Sequence, residues 1–166
     1  MGMVGNFLLV SNEELEEFLA DSSKLDDRLD EEFDMENSNI VDIDKSWEGI
    51  LYLLTGQNSE ELNHPLSKVL FSGQIIDEDQ DLGYGPGHYL RPDQVKDIYN
   101  EISNLSRSDL KAKYDPVNMD KLKIYPTGWA ENGDELFDYL IEYFEKVKEV
   151  FSKASTNNLA IITFLN

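Results

Sequence analysis

Apolar residues gather near both ends of the chain in runs of strand length, and between those runs they recur at helical spacing. Residues 4–10 form an apolar run that stops at Ser11, and residues 159–165 form a nearly continuous second one. A strand apolar on both sides needs cover on both faces, so the two runs predict a small sheet between helices. After the first run, Ser11 and Glu14 make a capping box, and Leu15, Phe18 and Leu19 follow on one helical face with Glu13, Glu14, Glu16 and Glu17 on the other. Leu25, Leu29 and Phe33 then step by four through a heavily charged stretch, which reads as a short helix or a loop.

Asp44 is placed to cap a helix over residues 45–54, with Trp47, Ile50, Leu51 and Leu54 inward and Gly56 as its stop. Residues 66–71 read as a short helix or strand. Pro92 suits the first turn of a helix over residues 92–105 that carries Val95, Ile98, Tyr99 and Ile102, and Ser106 with Asp109 opens another that Pro116 ends. Asn132 with Glu135 begins the longest helix, in which Leu136, Phe137, Leu140, Phe144, Val147 and Phe151 keep the helical period. The predicted class is α/β: a single domain over residues 1–166, with a small mixed sheet that includes both terminal strands, sandwiched between helices, and with more helix than strand.

Composition narrows the function classes. Against 34 Asp and Glu stand 14 Lys and Arg, a net charge of -20, and fourteen of the carboxylates lie within residues 13–44, where only Lys24 and Arg28 oppose them. Such a surface disfavours nucleic acid phosphates. Eighteen aromatic residues supply enough buriable surface for a folded core despite the charge. With no cysteine, disulfides, thiolate nucleophiles and Cys-based metal sites are excluded, and a reducing compartment is permitted. No signal-peptide pattern and no apolar stretch near the roughly 20 residues of a membrane span are present, so a cytoplasmic protein without membrane contact is expected.

Complete catalytic motifs are missing. Residues 77–81 begin like a calcium loop, but position six is Leu82 where Gly is required and position twelve is His88 where Glu is required. Gly83, Gly85 and Gly87 lack the remainder of a dinucleotide or phosphate-loop pattern, and a tight turn close to another element is the simpler reading. His64 and His88 are not spaced as a metal pair, and no Gly-x-Ser-x-Gly elbow exists. No metal, cofactor or catalytic residue is assigned. The one constellation worth following is Tyr84, His88, Tyr89 and Arg91 on the loop 83–91, together with Trp129 in a Gly and Pro turn, as a candidate ligand-binding pocket.

Several segments together resemble a known family: Met1-Gly-Met-Val-Gly-Asn6, Ile43-Asp-Lys-Ser-Trp-Glu-Gly49 running into Leu53-Leu-Thr-Gly56, Gly83-Tyr-Gly-Pro86 with Tyr89-Leu90 and Pro92, and Ile124-Tyr-Pro126 with Trp129. The chain resembles the YfbM-like bacterial proteins, a domain of unknown function. The resemblance spans essentially the whole length and implies a single α/β domain, without an activity. Against the family pattern, His88 stands where Arg is expected, and Arg91 where Thr would more simply cap the next helix. Two functional expectations result. One is a non-enzymatic acidic module that engages a cationic partner protein, in the manner of a small toxin-neutralising protein; the other is a ligand-binding protein or enzyme with a pocket at the loop 83–91.

Overall fold

The computed structural model describes residues 2–166. Strands β1 (Gly5–Val10), β2 (Ile40–Asp42), β3 (His88–Leu90) and β4 (Ala160–Leu165) form one sheet in the order β2-β1-β4-β3. The two apolar runs of the sequence are therefore its central pair, with Gly5 opposite Leu165 and Val10 opposite Ala160. All three pairings are antiparallel, where the sequence suggested a mixed sheet. The reason lies in the connections. A single-helix crossover returns a chain parallel to its start, whereas here two helices, α1 (Asn12–Ala20) and α2 (Ser23–Asp34), lie between β1 and β2. Between β3 and β4 run four helices, of which the first, α4 (Pro92–Ile102), and the last, α7 (Trp129–Thr156), pack against each other.

Alternation along the central strands divides the core into two. Phe7 and Ile161 face a large apolar cluster built with α3 (Trp47–Thr55), α4 and α7, while Leu8 and Ile162 face a smaller one built with α1 and α2. All four side chains are fully buried, each worth roughly 1.5–3 kcal/mol relative to exposure. The sheet is thus covered on both faces, as its apolar strands require.

Several helix ends follow the sequence closely. The Ser11 hydroxyl accepts the Glu14 N–H, Gly56 terminates α3 at φ 71°, and Ser106 with Asp109 forms a reciprocal box before α5 (Arg107–Lys111). Others differ. In α2, Leu25 and Leu29 are buried as their spacing predicts, but Phe33 is 54% exposed and Glu32 takes the inward position at 1%. Its carboxylate is filled by Arg28, by the Asn39 backbone N–H at 2.6 Å and side chain at 2.9 Å, and by the Ser38 hydroxyl at 3.1 Å. A buried carboxylate so fully bonded outweighs one apolar contact and turns the helix end by a residue.

Asp44 does not cap α3. It lies in a 3-10 turn, Asp44–Ser46, at φ 51°, and accepts the Tyr139 hydroxyl at 2.8 Å. Pro116 opens a helix rather than only ending one: α6 (Pro116–Lys121) starts on the Asp115 side chain, which accepts the Asn118 N–H at 3.0 Å. The long continuous helix starts just after the expected Asn132, beyond a break at Gly133 (φ 52°, ψ -129°), and a short helical turn from Trp129 precedes it and opens α7. Its first turn is held by Asp120, whose carboxylate accepts the N–H groups of Gly128, Trp129 and Ala130, each at 2.9 Å. Those bonds, the Ala130 and Trp129 ones first, hold the Asp120 carboxyl below the usual aspartate range.

Candidate functional site

On the large-cluster side of the sheet, near the Leu165 end of β4, lies a half-open cleft of about 720 Å³. Distant segments converge on it: Met3 ahead of β1, the start of α3, the loop after α3, and the end of α6 with the turn that follows, joined by Phe71, Tyr84 and Leu165. Its wall is aromatic. Trp47 stacks on Tyr125 with ring centroids 5.7 Å apart, and Phe71 meets Trp47 edge-on at 5.9 Å; Tyr84, 54% exposed, stands at the mouth. The Trp47 indole N–H donates to the Met3 carbonyl at 3.1 Å, which fixes the ring.

Glu48 organises the cleft. It is 5% exposed, and its Oε1 accepts the Ser59 backbone N–H at 2.8 Å and the Ser59 hydroxyl, while Oε2 accepts the Tyr125 N–H at 2.7 Å. One carboxylate at the start of α3, where the helix dipole favours it, thereby joins two walls. Asn58 adds a second tie from its side-chain amide to the Leu122 carbonyl at 3.4 Å.

The turn after α6 brings a charge to the wall in an uncommon way. Ile124 N–H bonds to Met119 carbonyl at 2.9 Å and Lys123 N–H to Asp120 carbonyl at 3.0 Å, the two bonds of a Schellman ending. The residue that must be left-handed in that motif is usually glycine; here it is Lys123, at φ 57°. Lys121 and Lys123 line the cleft, as do Glu60 and Glu61 from the neighbouring loop. Among the described residues none of the four takes part in an ion pair.

The structure divides the residues singled out in the sequence. Tyr84 lines the cleft, and His88 sits in an adjoining recess of about 50 Å³ bounded by Phe71, Tyr84, Pro86 and Thr163. The His88 ring meets Phe71 edge-on at 5.4 Å, and its Nδ1 accepts the Gly73 N–H at 3.2 Å. Burial lowers its pKa, since desolvation disfavours the charged ring. Tyr89 and Arg91 do not join them. Residues 88–90 are a strand and not a loop, so successive side chains leave on opposite faces. Tyr89 packs with the smaller cluster, while Arg91 pairs with Glu16 of α1 and lies 5.7 Å from the Tyr89 ring. Trp129 is fully buried and donates its indole N–H to the Ile124 carbonyl at 2.8 Å, so it supports the turn from the core and lines no part of the cleft.

The other motifs resolve into structure. Asp81 accepts the N–H groups of Gly83 at 2.9 Å and Gly85 at 3.1 Å, so those amides are already engaged and do not cradle a phosphate. Gly83, at φ 138°, lies so close to Asn166 that an added Cβ would meet its Cα at 2.7 Å, which is the tight approach the glycines suggested. His64 accepts the Leu66 N–H at 3.0 Å, and among the described residues no group of three acids or histidines is arranged to hold a metal ion. The sequence reading missed Glu48, Phe71, Lys121, Lys123 and Tyr125. None carried a local signal: Lys123 owes its place to the end of α6, a helix the sequence pattern did not mark.

No helix among the described residues is long and apolar enough to cross a membrane. No curated protein matches the chain. Among solved structures, the fold is similar to that of YfbM from Escherichia coli, a protein of unknown function, at 20% identity and a TM-score of 0.79, over 98% of this chain and 99% of that one. The sequence matches a family described as a domain of unknown function, DUF1877, over residues 1–164. The chain therefore belongs to the DUF1877, YfbM-like family.

Proposed function

We propose that this protein binds a small organic molecule in the cleft between α3, the loop after it and the α6 to α7 turn. The observation that carries the reading is the aromatic wall of Trp47, Phe71, Tyr84 and Tyr125 in a cleft of about 720 Å³, within the usual range of ligand sites. The wall is held in advance by Glu48, so an occupant meets a formed surface. A cytoplasmic setting is part of the same proposal and suits a chain without cysteine. The test is a thermal-shift screen against a broad metabolite panel, repeated on Tyr84→Ala, whose exposed ring leaves the fold intact when removed. Hits that lose their shift in the variant support the cleft. Hits that keep it place binding elsewhere.

A second reading concerns the acidic surface of α1 and α2. Arg28 pairs with Glu14 and Glu32, and Arg91 with Glu16, which leaves Glu13, Glu17, Asp26, Asp27, Asp30, Glu31 and Asp34 outside any ion pair among the described residues. Such a face favours encounter with a cationic protein, a toxin neutralised by masking among them. Pull-downs across a salt series test it. A partner retained equally well in strong salt counts against an electrostatic interface.

A further inference from the structure

We propose that the occupant of the cleft is zwitterionic, a flat aromatic body bearing both an ammonium and a carboxylate, of the chemical class of an aromatic amino acid or a short peptide containing one. The inference rests on the cleft being a ligand site and adds the polarity of what enters it.

Three observations carry it. First, apart from Glu48, whose carboxylate is taken up by Ser59 and Tyr125, the cleft lining has two charged residues of each sign, Lys121 and Lys123 from the end of α6 and Glu60 and Glu61 from the loop after α3. The two segments are tied side by side through Asn58 to Leu122 and through Ser59 and Tyr125 to Glu48, yet the lysines and glutamates are not paired with one another. Charges of both signs are thus available at one mouth, above an aromatic wall.

Second, Lys123 holds a left-handed backbone conformation in a motif that glycine would satisfy without strain. Strain of this kind clusters at active sites and ligand clamps. Lys123 lines the cleft and carries a positive charge that glycine would lack.

Third, the protein carries a net charge of -20. A ligand that is a simple anion would be repelled by the whole molecule, and a simple cation would be drawn to the acidic face of α1 and α2 as readily as to the cleft. An electrically neutral molecule with separated charges avoids both difficulties. It is recognised only where lysine, glutamate and aromatic surface occur together.

Calorimetry and ligand-observed NMR with three matched probes test the proposal: tryptophan, indole-3-propionate lacking the ammonium, and tryptamine lacking the carboxylate. Tryptophan is expected to bind about tenfold more tightly than either truncated probe, the scale of one charge-assisted bond. Lys121→Gln with Lys123→Gln should weaken tryptophan and indole-3-propionate about tenfold and leave tryptamine unchanged. Glu60→Gln with Glu61→Gln should weaken tryptophan and tryptamine and leave indole-3-propionate unchanged. The proposal is overturned if a truncated probe binds as well as tryptophan, or if neither pair of substitutions changes affinity. It is also overturned if all three probes are silent while other compounds bind in a Tyr84-dependent way, an outcome that retains the cleft as a ligand site. Silence of the probes and of the whole panel removes both.

Discussion

Glu48 and Tyr125, far apart in sequence, are joined by a 2.7 Å hydrogen bond from the Tyr125 backbone N–H to the Glu48 carboxylate, and that bond closes one side of the cleft. Replacing Glu48 with Ala leaves the Tyr125 and Ser59 N–H groups without their acceptor in a buried place. The expected loss is about 2–4 kcal/mol of stability, seen as a lower denaturation midpoint in urea. Glu48→Gln retains the shape and one oxygen, so it should lose less, and ligand affinity should fall in both variants.

Lys123→Gly should move stability and binding in opposite directions. Glycine relieves the left-handed strain at φ 57°, and the folded state should gain about 1 kcal/mol, or roughly 2–4 °C in melting temperature. The same change removes one ammonium from the cleft wall. A variant that is more stable and binds any cleft ligand less well is the expected outcome; equal affinity would show that Lys123 has no part in binding.

Gly49 marks a close approach of α3 to α7. An added Cβ would stand 2.6 Å from Leu140 Cδ2 and 2.8 Å from Trp129 Cη2, both in the packed interior. Gly49→Ala gains roughly 1 kcal/mol in helix propensity but forces these side chains aside at about 1–3 kcal/mol. A net loss in stability is expected. Because Trp129 lies beneath the Ile124 to Tyr125 turn, near-ultraviolet circular dichroism should change with it.

Tyr114 provides a dependence on pH. Its hydroxyl donates to the Gly133 carbonyl at 2.7 Å, and burial, with the nearby Asp134 and Asp120 carboxylates, raises its pKa from 10.0 to about 12. The folded value lies above the unfolded one, so the stabilisation is complete below pH 10 and is lost as pH rises through about 12. Tyr114→Phe should cost about 1 kcal/mol at neutral pH. The gap between wild type and variant should close across that alkaline interval, as followed by denaturant midpoints at each pH.

What the sequence made legible was whatever one element decides by itself. The runs 4–10 and 159–165 predict the central strands because apolar residues on both sides of a strand need two covered faces. Ser11, Gly56 and Ser106 predict helix ends because each bonds or turns within a few residues of itself. What stayed hidden depends on meetings through space. Asp120 holds the start of α7 from a different helix, Glu32 displaces Phe33 because of partners beyond the helix end, and the strands Ile40–Asp42 and His88–Leu90 are too short to show a period. The candidate site divided for the same reason. A three-residue strand sends His88 and Tyr89 to opposite faces, while Trp47, Phe71, Tyr84 and Tyr125 come together only when four separate segments pack.

The antiparallel contact of Gly5 with Leu165 and Val10 with Ala160 has a temporal side. On the ribosome, the early strand emerges long before its principal neighbour is translated. Meanwhile it can associate with α1, α2 and β2, a nearly local hairpin of helices, but the larger apolar cluster has no second central strand to close on. Long-range pairing of this kind is slow to nucleate, so maturation of the cleft awaits the last segment of the sheet to leave the exit tunnel.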